Sequence, residues 1–71
     1  MKSVAEVIQE HAAELLAIEG VAGVYEGKLA DGRDCMHVAV VARSAELEAR
    51  IPRQVEGHPV VIVETGPIGP L

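Results

Sequence analysis

The stretch Cys35-Met36-His37-Val38-Ala39-Val40-Val41-Ala42 decides the fold of this chain. It is the longest apolar, β-branched-rich run, with Asp34 before it and Arg43-Ser44 after it. A segment apolar at nearly every position suits a strand flanked by neighbours and covered on both faces. It reads as the middle strand of a small sheet.

Working upstream, Ala30-Asp31-Gly32-Arg33 contains Asp-Gly, the strongest hairpin signal in the sequence. It joins the middle strand to an antiparallel one over Val21 to Leu29. Alternation puts Val21, Gly23, Tyr25, Gly27 and Leu29 on one side and Ala22, Val24, Glu26 and Lys28 on the other. Two glycines on one side predict a bulge or the close approach of another group. Before this strand, Val4, Val7, Ile8, His11, Leu15 and Ile18 recur at helical spacing. Ser3-Val4-Ala5-Glu6 reads as a capping box at the start of that helix, and Gly20 as its left-handed C-cap.

Working downstream, Ser44 caps a short helix from Ala45 to about Ile51, and Pro52 stops it. Val55-Glu56-Gly57-His58 reads as a turn, and Pro59 to Glu64 as the third strand. The expectation is a single α+β domain over residues 1–66, with an irregular tail over 67–71. Its order is α-β-β-α-β, a three-stranded mixed sheet with both helices on one face, close to a ferredoxin-like sandwich lacking its first strand. The middle and third strands are joined through a helix and so run parallel. Two helices cannot bury both the Val60/Ile62 set and the Val61/Val63 set. Self-association through the open face or an edge resolves that mismatch.

Composition excludes several functions. Seventy-one residues bury only about 60% of their unfolded surface, and with Tyr25 the only aromatic the core must be thin and aliphatic. Pockets for small ligands need roughly 300 Å³, which such a core scarcely holds. Eleven acids against six bases give a net charge of −5. That balance argues against binding nucleic acid, which needs a basic face, and against anionic membranes. No segment approaches the roughly 20 apolar residues of a membrane span, and Met1-Lys2-Ser3 leads straight into an amphipathic pattern, unlike a signal peptide. The single cysteine allows no internal disulfide, which points to a reducing cytoplasm.

The pattern Gly20-Val21-x-Gly23-Val24, then Asp31-Gly32 and the valine-rich strand, continues with Ile51-Pro52-x-x-Val55-Glu56-Gly57-x-Pro59-Val60 and Glu64-Thr65-Gly66-Pro67-Ile68. It resembles a small module met in bacterial proteins of unassigned function. It is also similar to the stretch preceding the protease domain in some trypsin-like proteins. The resemblance runs from about Ala13 onward and is carried by glycines, prolines and strand valines. Those residues specify backbone shape. The resemblance implies a folded adaptor or accessory unit, and the protease Ser, His and Asp lie outside it.

Two readings of the chemistry compete. The first is a non-catalytic protein-binding or self-assembly module, a homodimer or the complement of another protein's sheet, with Tyr25, Val61 and Val63 at the interface and no cofactor. The second is a small metal- or thiol-dependent catalyst using Cys35, His37 and His58. Cys35 and His37 share a strand face, but their spacing is no zinc signature, and Cys35 behaves equally well as a small buried hydrophobe. His11 reads as a satisfied histidine at the rim of the apolar helix face; buried neutral, its protonation below pH 6 loosens the helix. The Glu6, Glu10 and Glu14 row reads as a solvated face. Glu26 and Glu64 have no spacing that makes them a catalytic pair. The glycines form no phosphate loop, since Gly20-x-x-Gly23 precedes a strand and opens no helix.

Overall fold

A computed structural model describes residues 2–65. The elements are α1 (Val4–Leu16), β1 (Val21–Lys28), β2 (Asp34–Val40), α2 (Ala45–Arg50), β3 (Gln54–Val55) and β4 (His58–Glu64). The sheet has four strands in the order β1-β2-β4-β3. β1 and β2 are antiparallel, β2 and β4 parallel, and β3 and β4 antiparallel. This is the expected α+β arrangement with one strand more than the three expected. The tail expected over 67–71 lies outside the described residues.

The extra strand comes from a second hairpin. Val55 pairs with His58 across Glu56-Gly57, and both loop residues have positive φ, 48° and 84°. That is the signature of a two-residue type I′ turn. Glutamate rarely adopts positive φ, and two residues of strand leave no readable alternation. The third predicted strand therefore begins one residue earlier, at His58.

Asp31-Gly32 acts as expected. The Gly32 N–H donates to the Leu29 carbonyl at 2.9 Å and the Leu29 N–H to the Arg33 carbonyl at 2.8 Å. Gly32, at φ 88°, takes the left-handed position that ends such a three-residue loop. Gly20 is displaced from its predicted role. The helix ends at Leu16 with Ala17 as C-cap in right-handed geometry. Gly20, at φ 99°, instead completes the next turn, where the Val21 N–H donates to the Ile18 carbonyl. At the other end the Ser3 hydroxyl accepts from the Glu6 N–H at 3.2 Å, while the Glu6 carboxylate contacts that hydroxyl and not the Ser3 backbone. Ser44 caps α2 by accepting from the Leu47 N–H.

One core forms between the helices and the sheet. Val7 and Leu15 of α1 meet Met36, Val38 and Val40 of β2, Leu47 and Ile51 from the α2 region, and Val55 of β3. Val21, Val24, Val60 and Ile62 pack against this cluster. Both helices thus cover the same face. Val21 and Val24 are three residues apart yet both face the core, because the β1–β2 register shifts between Val21 and Gly23. That bulge overturns the strict alternation read for this strand, which had placed Val21 with Tyr25.

Met36 is the largest fully buried side chain, whereas Leu16 is 49% exposed. Met36→Ala is expected to lower the unfolding free energy by about 3 kcal/mol. Leu16→Ala is expected to change it by less than about 0.5 kcal/mol. Urea titration of the two variants beside the parent chain measures both.

Candidate functional site

Strand alternation sends the other half of each side-chain set to the face opposite the helices. From β1 come Gly23, Tyr25 and Gly27; from β2, Cys35, His37 and Ala39; from β4, Pro59, Val61 and Val63. Registry makes rows of them. Tyr25 pairs with His37 and His37 with Val61; Gly23 pairs with Ala39 and Ala39 with Val63. The predicted interface residues Tyr25, Val61 and Val63 therefore lie on one surface. Among the described residues no helix or strand covers it.

The surface is shaped by a glycine. A Cβ placed on Gly27 would lie 2.4 Å from His37 Nε2 and 2.5 Å from Cε1, so the imidazole rests directly on the glycine backbone. Its ring meets Tyr25 edge to face, with centroids 5.1 Å apart and planes at 79°. Such an aromatic pair contributes about 0.5–1.5 kcal/mol beyond burial. Tyr25 remains 45% exposed, so it is not the filler under α1 that an aromatic in a small core suggests. The close approach predicted from the two glycines occurs at Gly27 alone, since nothing lies within 4 Å of a Cβ on Gly23.

The proposed ligand trio is not assembled. Cys35 and His37 share the helix-free face, and Cys35 is fully buried. His58 pairs with the core residue Val55 on the opposite face, and its Nε2–H donates to the Lys2 carbonyl at 2.7 Å. The sheet separates it from the other two. No group of three His, Cys, Asp or Glu residues suited to a metal occurs among the described residues. Glu26 and Glu64 also stay apart. They stand opposite Met36 and Val40 on different sides of β2, and Glu64 accepts from the Arg43 N–H at 2.7 Å.

Among the described residues a groove of about 520 Å³ lies between α2 and β4, lined by Glu48, Ile51, Pro52, Arg53, Val60 and Ile62. Its charged residues are Glu48, which faces Arg43 at 3.4 Å, and Arg53. None of the described helices is long and apolar enough to cross a membrane. No protein-family model, curated protein or solved structure matches the chain.

A charged cluster, not expected from the sequence, ties the start of α1 to the β3–β4 turn. Lys2 pairs with Glu10, and with Glu56 at 3.4 Å. His11 Nε2 lies 2.9 Å from Glu56 and Nδ1 3.3 Å from Glu14. Two carboxylates, one on each ring nitrogen, are both satisfied only by the doubly protonated ring. The Glu56 contact, and then the Glu14 contact, raise the His11 pKa above its usual value, while His11 and Lys2 hold Glu56 below its own. This reverses the pH dependence expected for a buried neutral histidine. The glutamate row is likewise partly consumed, Glu10 by Lys2 and Glu14 by His11.

Two outcomes follow from this geometry. Gly27→Ala is expected to push His37 off the strand and end its contact with Tyr25, destabilising the fold by about 1 kcal/mol; the His37 ring proton shifts report the displacement. A raised folded pKa for His11 means its stabilisation is complete below about 6.5 and is lost as pH rises through the folded value. The melting-temperature gap between the parent and His11→Ala is therefore expected to be wider at pH 6 than at pH 9. Differential scanning calorimetry at both values checks the sign.

Proposed function

We propose that this chain is a non-catalytic assembly module, and that a second copy of itself covers the helix-free face of its sheet. The observation that carries this reading is the face itself: Tyr25, His37, Ala39, Val61 and Val63 form adjoining rows with no helix above them among the described residues. None of the nine positions on it is an acid, a lysine or an arginine. The chain carries a net charge of −5, so two copies meet at least electrostatic cost through a surface without acids. Tyr25 is the anchor, a large amphipathic ring beside small neighbours, as interface centres favour.

Size sets the strength of the contact. Three strands by three rows give a patch on the order of 300 Å². Stable complexes bury roughly 800 Å² per partner. Association through this face alone is therefore weak and concentration-dependent. The resemblance to a module that accompanies other domains agrees with an accessory role of this kind. The one cysteine is free and buried, which suits a reducing compartment such as the cytoplasm. The competing catalyst built on Cys35, His37 and His58 gains no support, because its third member is on the wrong side of the sheet.

Sedimentation velocity and native mass spectrometry across a concentration series test the reading. The parent chain is expected to move from monomer to dimer as concentration rises, without added mass. Val61→Lys, which places a charge in the middle row of the patch beside His37, is expected to weaken association with its circular dichroism unchanged. Tyr25→Ala is expected to weaken association by about tenfold or more. A parent chain that stays monomeric throughout, or a dimer indifferent to Val61→Lys, refutes the assignment of this face.

A further inference from the structure

The two outer edges of the sheet are not alike. On the β4 side, β3 pairs with His58 and Pro59, and the Val60 N–H donates to the Arg53 carbonyl at 2.9 Å. Further along, the Arg43 guanidinium donates to the Ile62 carbonyl at 3.0 Å. A two-residue strand, a loop carbonyl and an arginine head together block that edge against another strand. β1, eight residues long, is the sheet's other outer strand, and among the described residues no strand lies beyond it.

Which groups β1 presents follows from its pairing with β2. The Leu29 N–H bonds inward to Arg33, and inward and outward residues alternate along an antiparallel ladder. Gly27, Tyr25 and Gly23 therefore point their backbone groups at β2. Val24, Glu26 and Lys28 point theirs outward. Three outward residues, two of them oppositely charged, define a short template for strand addition.

Symmetry and charge then select the register. A two-fold axis through Tyr25 sets Val24 against Glu26 and leaves Lys28 opposite Ala22. An axis through Glu26 forces the two glutamates face to face, which is repulsive. An axis through Gly27 places Glu26 opposite Lys28 of the second copy, twice over, and Tyr25 opposite Leu29. We infer that β1 pairs antiparallel with β1 of a second copy about Gly27, with Glu26 opposite Lys28, joining two four-stranded sheets into one of eight strands. This is a second contact between copies, made at the sheet edge and apart from the helix-free face, and it rests on the self-association reading.

Two further features fit that register. Gly27 stands at the axis in a non-hydrogen-bonded pair, where Cα atoms approach to about 4.5 Å, and it brings no side chain to the junction. Lys28 already meets Asp34 across its own hairpin at 2.6 Å. An ammonium has three donors, so it bridges Asp34 on one side and Glu26 of the second copy on the other. A single charge on an edge strand keeps other strands away. Opposite charges two residues apart favour the one register that matches them.

Residue-resolved amide exchange by NMR, at concentrations spanning the association seen by sedimentation, tests the inference. In the proposed register the Glu26 and Lys28 amides gain protection as the dimer forms, and the Val24 amide, which faces the hairpin loop of the second copy, does not. Glu26→Lys is expected to weaken association about tenfold by setting lysine against lysine, and the double variant Glu26→Lys, Lys28→Glu to recover most of the loss. A dimer in which none of the three amides gains protection overturns edge pairing while leaving the face assembly standing. Protection at Val24 overturns the register. A chain monomeric at every concentration overturns both readings.

Discussion

β2 is apolar on both of its faces, and the described residues form only two helices. A helix pair of this length covers one face of a three-strand width and no more. Met36, Val38 and Val40 claim that cover and form the core with Val7, Leu15, Leu47 and Ile51. Cys35, His37 and Ala39 are left to be sheltered by whatever β1 and β4 place beside them. The glycines of β1 are the response on one flank. Without a side chain at Gly27 the imidazole of His37 lies flat against the backbone, and Tyr25 closes on its edge. On the other flank Val61 and Val63 remain half-buried, shielded on their sides and open above.

The same economy governs how the helix layer is held. α1 supplies only Val4, Val7 and Leu15 as fully buried positions, so its apolar contact is narrow. At the end of the molecule near the β3–β4 turn, Lys2, His11 and His58 reach across to Glu56 or to backbone and fix the orientation of the first turns. Exposed ion pairs are individually weak. Here several meet on one glutamate, and they position the helix more than they stabilise it. Glu56 itself sits in left-handed geometry, a conformation that costs glutamate energy and that aims its carboxylate at both cations.

Fold class was legible in the sequence because its signals are local. The Asp31-Gly32 hairpin, the Ser3 and Ser44 caps, Pro52 and the valine-rich run each act within a few residues, and together they leave one topology. What escaped reading was either too short or too distant. β3 has two residues and a turn whose first member is an atypical glutamate. The bulge between Val21 and Gly23 flips Val21 to the core face; the glycines announce a bulge in this strand but not its place. Of the candidate site, the shared surface of Tyr25, Val61 and Val63 followed from alternation and strand order. The separation of His58 from Cys35 and His37 did not, since it depends on where β4 begins. The contacts of His11 and Lys2 with Glu56 span much of the chain, and no spacing rule connects them.

Tyr25 is the only aromatic residue, with neither tryptophan nor phenylalanine beside it. It lies on the outside of the sheet, away from the aliphatic core. The molecule's one near-ultraviolet fluorophore is thus attached to the helix-free face of the sheet. Its core has no optical signature of its own. Intrinsic fluorescence and near-ultraviolet dichroism of this chain follow what happens to the helix-free face, and loosening of the packing between helices and sheet passes them by unseen.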